Sequence, residues 1–130
     1  MNEQDKKELV KYRIDRAKET LKEVDILVEN KLWNTSVNRL YYACYYAVTA
    51  LLIYTGINTQ THAGVRQMFG LHFIKTGLIH KDSGKFYTDI FDKRQTSDYD
   101  DFVVFTEIEI RSMIAPAHQL IEEIINIIKL

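Results

Sequence analysis

The stretch Val37–Ile53, VNRLYYACYYAVTALLI, decides the fold. Val37, Leu40, Tyr41, Cys44, Val48, Leu51 and Leu52 recur at three- and four-residue steps and make one apolar helical face. The opposite face carries Arg39, Tyr42, Ala43, Tyr46, Ala50 and Ile53, so it is not properly polar. A helix that is apolar nearly all round is buried on two sides. In so small a chain the second buried side belongs either to the central helix of a bundle or to a subunit interface. Tyrosines and small alanines fit an interface, with Tyr42, Tyr46 and Ile53 as its expected face. The helix is expected over 35–55, with Asn34, Thr35 or Ser36 as N-cap and Gly56 as its stop.

Working outward, Leu9, Ala17, Leu21, Val24 and Val28 make the apolar stripe of a first helix over about Gln4 to Asn30. A third helix should run from near Thr61 to Gly77 with Val65, Met68, Phe69 and Phe73 inward. The fourth should begin at Asp82 or Ser83 and turn Phe86, Tyr87, Ile90 and Phe91 to the core. Arg94 falls on that same face, so it points toward the bundle or a cleft. Thr106 and Glu109 have capping-box spacing and mark the start of the last helix. Its apolar stripe runs through Ile110, Ile114, Ala117, Ile121, Ile124, Ile125 and Ile128, with a kink expected at Pro116. Residues 98–105, DYDDFVVF, are left as the connection, with the Phe102–Phe105 run lying over the bundle. No run alternates with a period of two. The fold class is all-α: an antiparallel, up-and-down bundle of four to five helices with short connections, forming one domain over residues 1–130.

The totals narrow the function. Seventeen Lys and Arg balance eighteen Asp and Glu, which excludes a general nucleic-acid binder but leaves room for a specific or buried site. Cys44 is the sole cysteine, so no intrachain disulfide forms, and it reads as a small buried hydrophobe. The start, MNEQDKKELVKY, lacks the apolar region of a signal peptide, and IEEIINIIKL is too short and charged to span a bilayer. A cytoplasmic protein with no membrane partner is expected.

Catalytic signatures are sparse. His62, His72, His80 and His118 show no metal-ligand spacing, so no metal and no cofactor is expected. His62, near the start of the third helix, is placed to bond a backbone group or a ligand. Glycines are isolated and form no phosphate loop. Two arginines in apolar settings remain, Arg39 and Arg94, followed by the acidic-aromatic segment RQTSDYDD at 94–101. A buried guanidinium needs a partner, which Asp98 or Asp101 would supply. One reading is an ion pair that pins the last connection. The other is a polar cleft in which Arg39, Arg94, Asp98 and Tyr99 recognise a phosphate or nucleotide, for which the arginine fork is suited.

The order VNRLYYACYYA, THAGVRQMF, FIKTGLI, RQTSDYD resembles the small stand-alone HEPN proteins of bacteria and archaea, from about Ala17 to Ile125. The resemblance implies a dimerising helical bundle. It also implies nucleotide binding and a minimal nucleotidyltransferase as partner in a toxin–antitoxin-like module. Some branches are metal-independent ribonucleases with arginine, a polar residue and then histidine. Arg94 and Gln95 match the first two, but Tyr99, Asp100 and Asp101 stand where the histidine should fall. Neither Asp nor Tyr shuttles protons as imidazole does near neutral pH. Tyr99 resembles a tyrosine that partner transferases adenylylate in some toxin branches. The expectation is a non-catalytic, homodimeric module that binds a nucleotide, RNA or the transferase through Arg39, Arg94, Asp98 and Tyr99. Two alternatives stand beside it: a ribonuclease that borrows a histidine, with His62 as the candidate, and a purely structural homodimerisation module.

Overall fold

The computed structural model describes residues 1–100 and 102–129. Five α-helices follow one another: α1 (Glu3–Glu29), α2 (Trp33–Tyr54), α3 (His62–Phe69), α4 (Lys81–Tyr99) and α5 (Glu107–Ile128). There is no strand among the described residues, and none of their helices is long and apolar enough to cross a membrane. The bundle is all-α, as its periodicity predicts.

α2 is the central helix. It packs against α1, α3, α4 and α5, and twelve of its residues are buried. Val37, Leu40, Tyr41, Cys44, Val48, Leu51 and Leu52 are inaccessible or nearly so, and so are Ala43, Ala47 and Ala50 between them. Small residues let neighbouring helices approach, while the large ones fill the space between. Cys44 lies in this core, where burial raises its thiol well above the ordinary value and keeps it protonated.

The helix ends differ instructively from their predicted positions. α2 starts at Trp33, with no side-chain cap, because Asn34 is engaged elsewhere. Its Nδ2 donates to the Val103 carbonyl at 2.8 Å and its Oδ1 accepts from Phe105 N at 3.0 Å. Asn34 thereby pairs with the α4–α5 connection as a strand edge would. Gly56 supplies the positive φ, 78°, that ends α2. α3 is capped by Thr61 but does not run on to Gly77 as an α-helix; it widens into a π-type turn over Gly70–Ile74. α4 presses onto that turn at Gly84, where a Cβ would stand 2.8 Å from Ile74. α5 opens with the complete Thr106–Glu109 capping box and continues through Pro116.

Two further expectations are corrected. Asp98 and Tyr99 belong to the last turn of α4, not to the connection, because the i,i+4 pair Arg94–Asp98 and the Asp100 N–Thr96 O bond extend the helix. Of the Phe102–Phe105 run, Phe105 is buried and Val103 packs on the core, whereas Phe102 and Val104 face solvent. The two bonds from Asn34 grip only one edge of this segment, so its other side chains turn outward.

Replacing Asn34 by alanine orphans Phe105 N and the Val103 carbonyl, at a cost of about 1–3 kcal/mol. The expected result is a lower melting temperature and faster hydrogen exchange at Val103–Phe105, with α1 and the core of α2 keeping their protection.

Candidate functional site

The outward side of α2 presents Asn38, Arg39, Tyr42, Tyr45 and Tyr46, all half-buried. Arginines from α2 itself and from its neighbours α1 and α4 lie across these rings. Arg16 from α1 lies 5.3 Å from the Tyr46 centroid, Arg39 lies 5.2 Å from Tyr42, and Arg94 from α4 lies 5.4 Å from Tyr42. A guanidinium over a tyrosine face is attracted by the ring quadrupole and keeps its N–H edge free for other acceptors.

Arg94 is the hub. Its side chain is only 11% exposed, as its helical phase predicts. Nη2 donates to the Tyr42 hydroxyl at 3.2 Å, and the guanidinium also lies 5.3 Å from the Tyr41 ring and 5.9 Å from that of Tyr99. Nε sits 3.0 Å from Asp98 Oδ2, close enough for an ion pair but not aligned as a hydrogen bond. Asn38 Nδ2 holds both oxygens of Asp98 at 3.2 and 3.3 Å. Nη1 has no partner among the described residues.

Arg39 is not paired with Asp98. Arg94, one helical turn away on the same helix, occupies that carboxylate, and Arg39 is left 4.0 Å from Glu23 on α1. Its Nε is buried without a hydrogen bond. Asp101, the other expected partner, lies outside the described residues. Arg39 and Arg94 still meet at the ring of Tyr42, so the structure does bring them together, with Asp98 and the exposed Tyr99 beside Arg94. Tyr42, Tyr46 and Ile53, expected as a dimer face, are half-buried, the first two beneath arginines.

His62, expected as the histidine that a ribonuclease would borrow, also lies at this cluster. Its Nδ1 is 2.7 Å from the Tyr41 hydroxyl, and its ring stacks on Tyr45 at 4.4 Å and 25°. Tyr41 is fully buried, stacked on Tyr87 and edge-on to Phe91. Burial lifts the Tyr41 phenol well above its ordinary value, against the opposing influence of the Tyr87 hydroxyl and the Arg94 charge. Burial, and then the Arg94 charge, lower His62 below the usual histidine value of 6.5. No spacing rule links residues 41, 62 and 94; only the packing of α3 and α4 on α2 does.

Both influences favour the neutral imidazole, and an NMR titration should give a midpoint below 6.5, rising in Arg94→Ala but not to the ordinary value, because burial persists. Its contribution to stability has a definite sign. The unfolded chain takes up this proton first, so the contribution is present above 6.5 and is lost as pH falls through the folded-state midpoint.

A groove of about 880 Å³ near the C-terminal end of α2 is lined by Lys6, Lys7, Lys11, Tyr54 and Ile128. It shares no residue with the arginine–tyrosine face. That face offers cationic N–H donors and flat rings side by side, a surface suited to a phosphate joined to a base.

Comparison with known proteins supplies the family. A family model, HEPN domain, matches residues 10–128. A UPF0332 protein of Thermotoga maritima is 37% identical over 129 residues, covering 99% of this chain and 96% of that protein. A Methanocaldococcus jannaschii protein named "Putative toxin" is 36% identical, covering 96% of this chain and 92% of its own length. A second protein of that organism with the same designation is 32% identical over 113 residues. The match takes in every residue of the arginine–tyrosine face, from Arg16 to Tyr99, and the chain belongs to the HEPN domain family.

Proposed function

We propose that this protein is the toxin-like member of a two-protein module, and that it binds a nucleotide through Arg39, Arg94, Asp98 and Tyr99 without cleaving RNA. In this reading it acts as a homodimer beside a minimal nucleotidyltransferase. The observation that carries the nucleotide site is Arg94: a nearly buried guanidinium, fixed by Asp98 and Tyr42, with Nη1 unspent and the rings of Tyr41 and Tyr42 at 5.3 and 5.4 Å. The names of the Methanocaldococcus jannaschii relatives support the toxin-like role. Against catalysis stands the segment after Arg94, where Tyr99, Asp100 and Asp101 occupy the sequence positions of a proton-shuttling histidine.

Calorimetric titration with AMP, comparing wild type with Arg94→Ala, tests the site. Equal affinity in both, for the nucleotide and for a co-expressed nucleotidyltransferase, would refute it. The dimer is tested by Tyr46→Glu, which places a carboxylate on the proposed seam. Gel filtration should show a monomer, and an unchanged dimer excludes that seam.

One observation favours a ribonuclease as second reading: His62 lies against the same two tyrosines as Arg94. Metal-free cleavage of single-stranded RNA that disappears in His62→Ala would establish it in place of the binding role.

A further inference from the structure

We infer that His62, oriented by Tyr41, is a ligand-binding residue of this face, and that its Nε2–H and the Arg94 guanidinium together grip one phosphate monoester. This rests on the nucleotide-binding reading of the Arg94 site and supplies its second donor.

The argument begins with the proton of Tyr41. Its hydroxyl is buried, and His62 Nδ1 is its hydrogen-bond partner among the described residues. The Tyr87 hydroxyl nearby has none in hydrogen-bond geometry. If Nδ1 carried a proton and donated to Tyr41, the phenolic O–H would be left buried without an acceptor, a costly state. The Tyr41 O–H therefore donates to Nδ1. A neutral imidazole has a single N–H, and this bond places it on Nε2.

The ring is held as well as polarised. Tyr45 stacks on one face of His62, and the rings of Tyr41 and Tyr42 stand 5.8 and 5.9 Å away. Arg94 lies 5.3 and 5.4 Å from those same two rings. Two fixed donors, one neutral and one cationic, therefore flank one pair of tyrosines. His62 Nε2 and Arg94 Nη1 make no hydrogen bond among the described residues, and neither is sealed in the interior, so both are open to a ligand. A phosphate monoester, with three acceptor oxygens and up to two negative charges, satisfies both donors and offsets the charge that Arg94 imposes on His62.

The phosphate could belong to a free nucleotide or to the 5′ end of an RNA, and the test separates them. AMP, adenosine, and tetra-adenylate RNA with a 5′-phosphate or a 5′-hydroxyl are titrated against wild type, His62→Asn, Tyr41→Phe and Arg94→Ala. His62→Asn keeps an acceptor for Tyr41 and withdraws the outer donor. It should weaken AMP or the phosphorylated RNA about tenfold or more, and leave adenosine and the 5′-hydroxyl RNA unchanged. ¹⁵N NMR of the free wild type should show His62 neutral with its proton on Nε2. That proton should shift on adding the phosphate ligand, and Tyr41→Phe should mix the two tautomers. This spectroscopic change separates positioning from a merely structural role.

If Arg94→Ala loses phosphate affinity while His62→Asn keeps it, the inference is overturned and the Arg94 site stands. A proton found on Nδ1 overturns it too. If wild type binds neither phosphate ligand, or if both variants bind as wild type does, the nucleotide reading fails and the inference falls with it.

Discussion

Arg94→Ala is expected to lower nucleotide affinity by about ten- to a hundredfold while leaving the helical content unchanged. Hydrogen bonds to a charged group contribute about 1.5–3 kcal/mol, and each 1.4 kcal/mol is roughly a factor of ten in affinity. The loss should be larger than that for Arg39→Ala, because Arg39 is held only by a long ion pair and one ring, whereas Arg94 is fixed by Asp98, Tyr42 and the ring of Tyr41. A pre-oriented donor gives up less freedom on binding. Folding should survive the change, because Asp98 is partly exposed and keeps both bonds from Asn38, so its charge is not left buried and unpartnered. Arg94→Lys should fall between wild type and alanine, because one ammonium cannot serve Asp98, Tyr42 and a phosphate in the same planar geometry. Calorimetry at fixed ionic strength, with circular dichroism as the fold control, measures all three. An Arg94→Ala protein that binds AMP as wild type does would move the site elsewhere.

Tyr41→Ala should have the largest effect on stability, about 3–5 kcal/mol, the range found when a buried aromatic is truncated to alanine. Tyr41 has no exposed surface and touches the rings of Tyr42, Tyr45, Tyr87, Phe91 and His62. Its removal opens a cavity where α2, α3 and α4 meet and leaves His62 without the hydroxyl that orients it. In a chain of this size the melting temperature should drop by roughly 10 °C or more. Tyr41→Phe retains the ring and should cost only about 1 kcal/mol, the net worth of an ordinary hydrogen bond. Its effect should appear in the His62 tautomer instead. Thermal unfolding of the two variants separates the structural role of the ring from the orienting role of the hydroxyl, and equal losses would mean the hydroxyl dominates.

Much of the bundle is legible along the chain because helices are local. Three- and four-residue steps identify the central helix at Val37–Ile53, and four-residue spacing identifies the Thr106–Glu109 cap. Helical phase also turns Arg94 inward correctly. The errors fall where a distant group overrides a local preference. Asn34 has an N-cap composition but spends its amide on Val103 and Phe105, 69 and 71 residues away. Asp98 and Tyr99 have a turn-like composition, yet pairing with Arg94 keeps them in α4.

The same division runs through the site. The sequence by itself determined that the chain is a helical bundle, that Arg94 faces inward, and that no histidine follows it at motif spacing. Only the tertiary structure decided which groups share a surface: Arg94 with Tyr42, 52 residues apart, and Tyr41 with His62, 21 residues apart. The physical reason is range. Periodicity and capping act within one or two helical turns and leave a pattern in consecutive residues. The pairing of side chains on different helices depends on how α3 and α4 settle against α2, through burial that many residues share and no short motif records. RQTSDYDD announces a polar site, whereas His62 reaches the same tyrosines from another helix and leaves no mark in that segment.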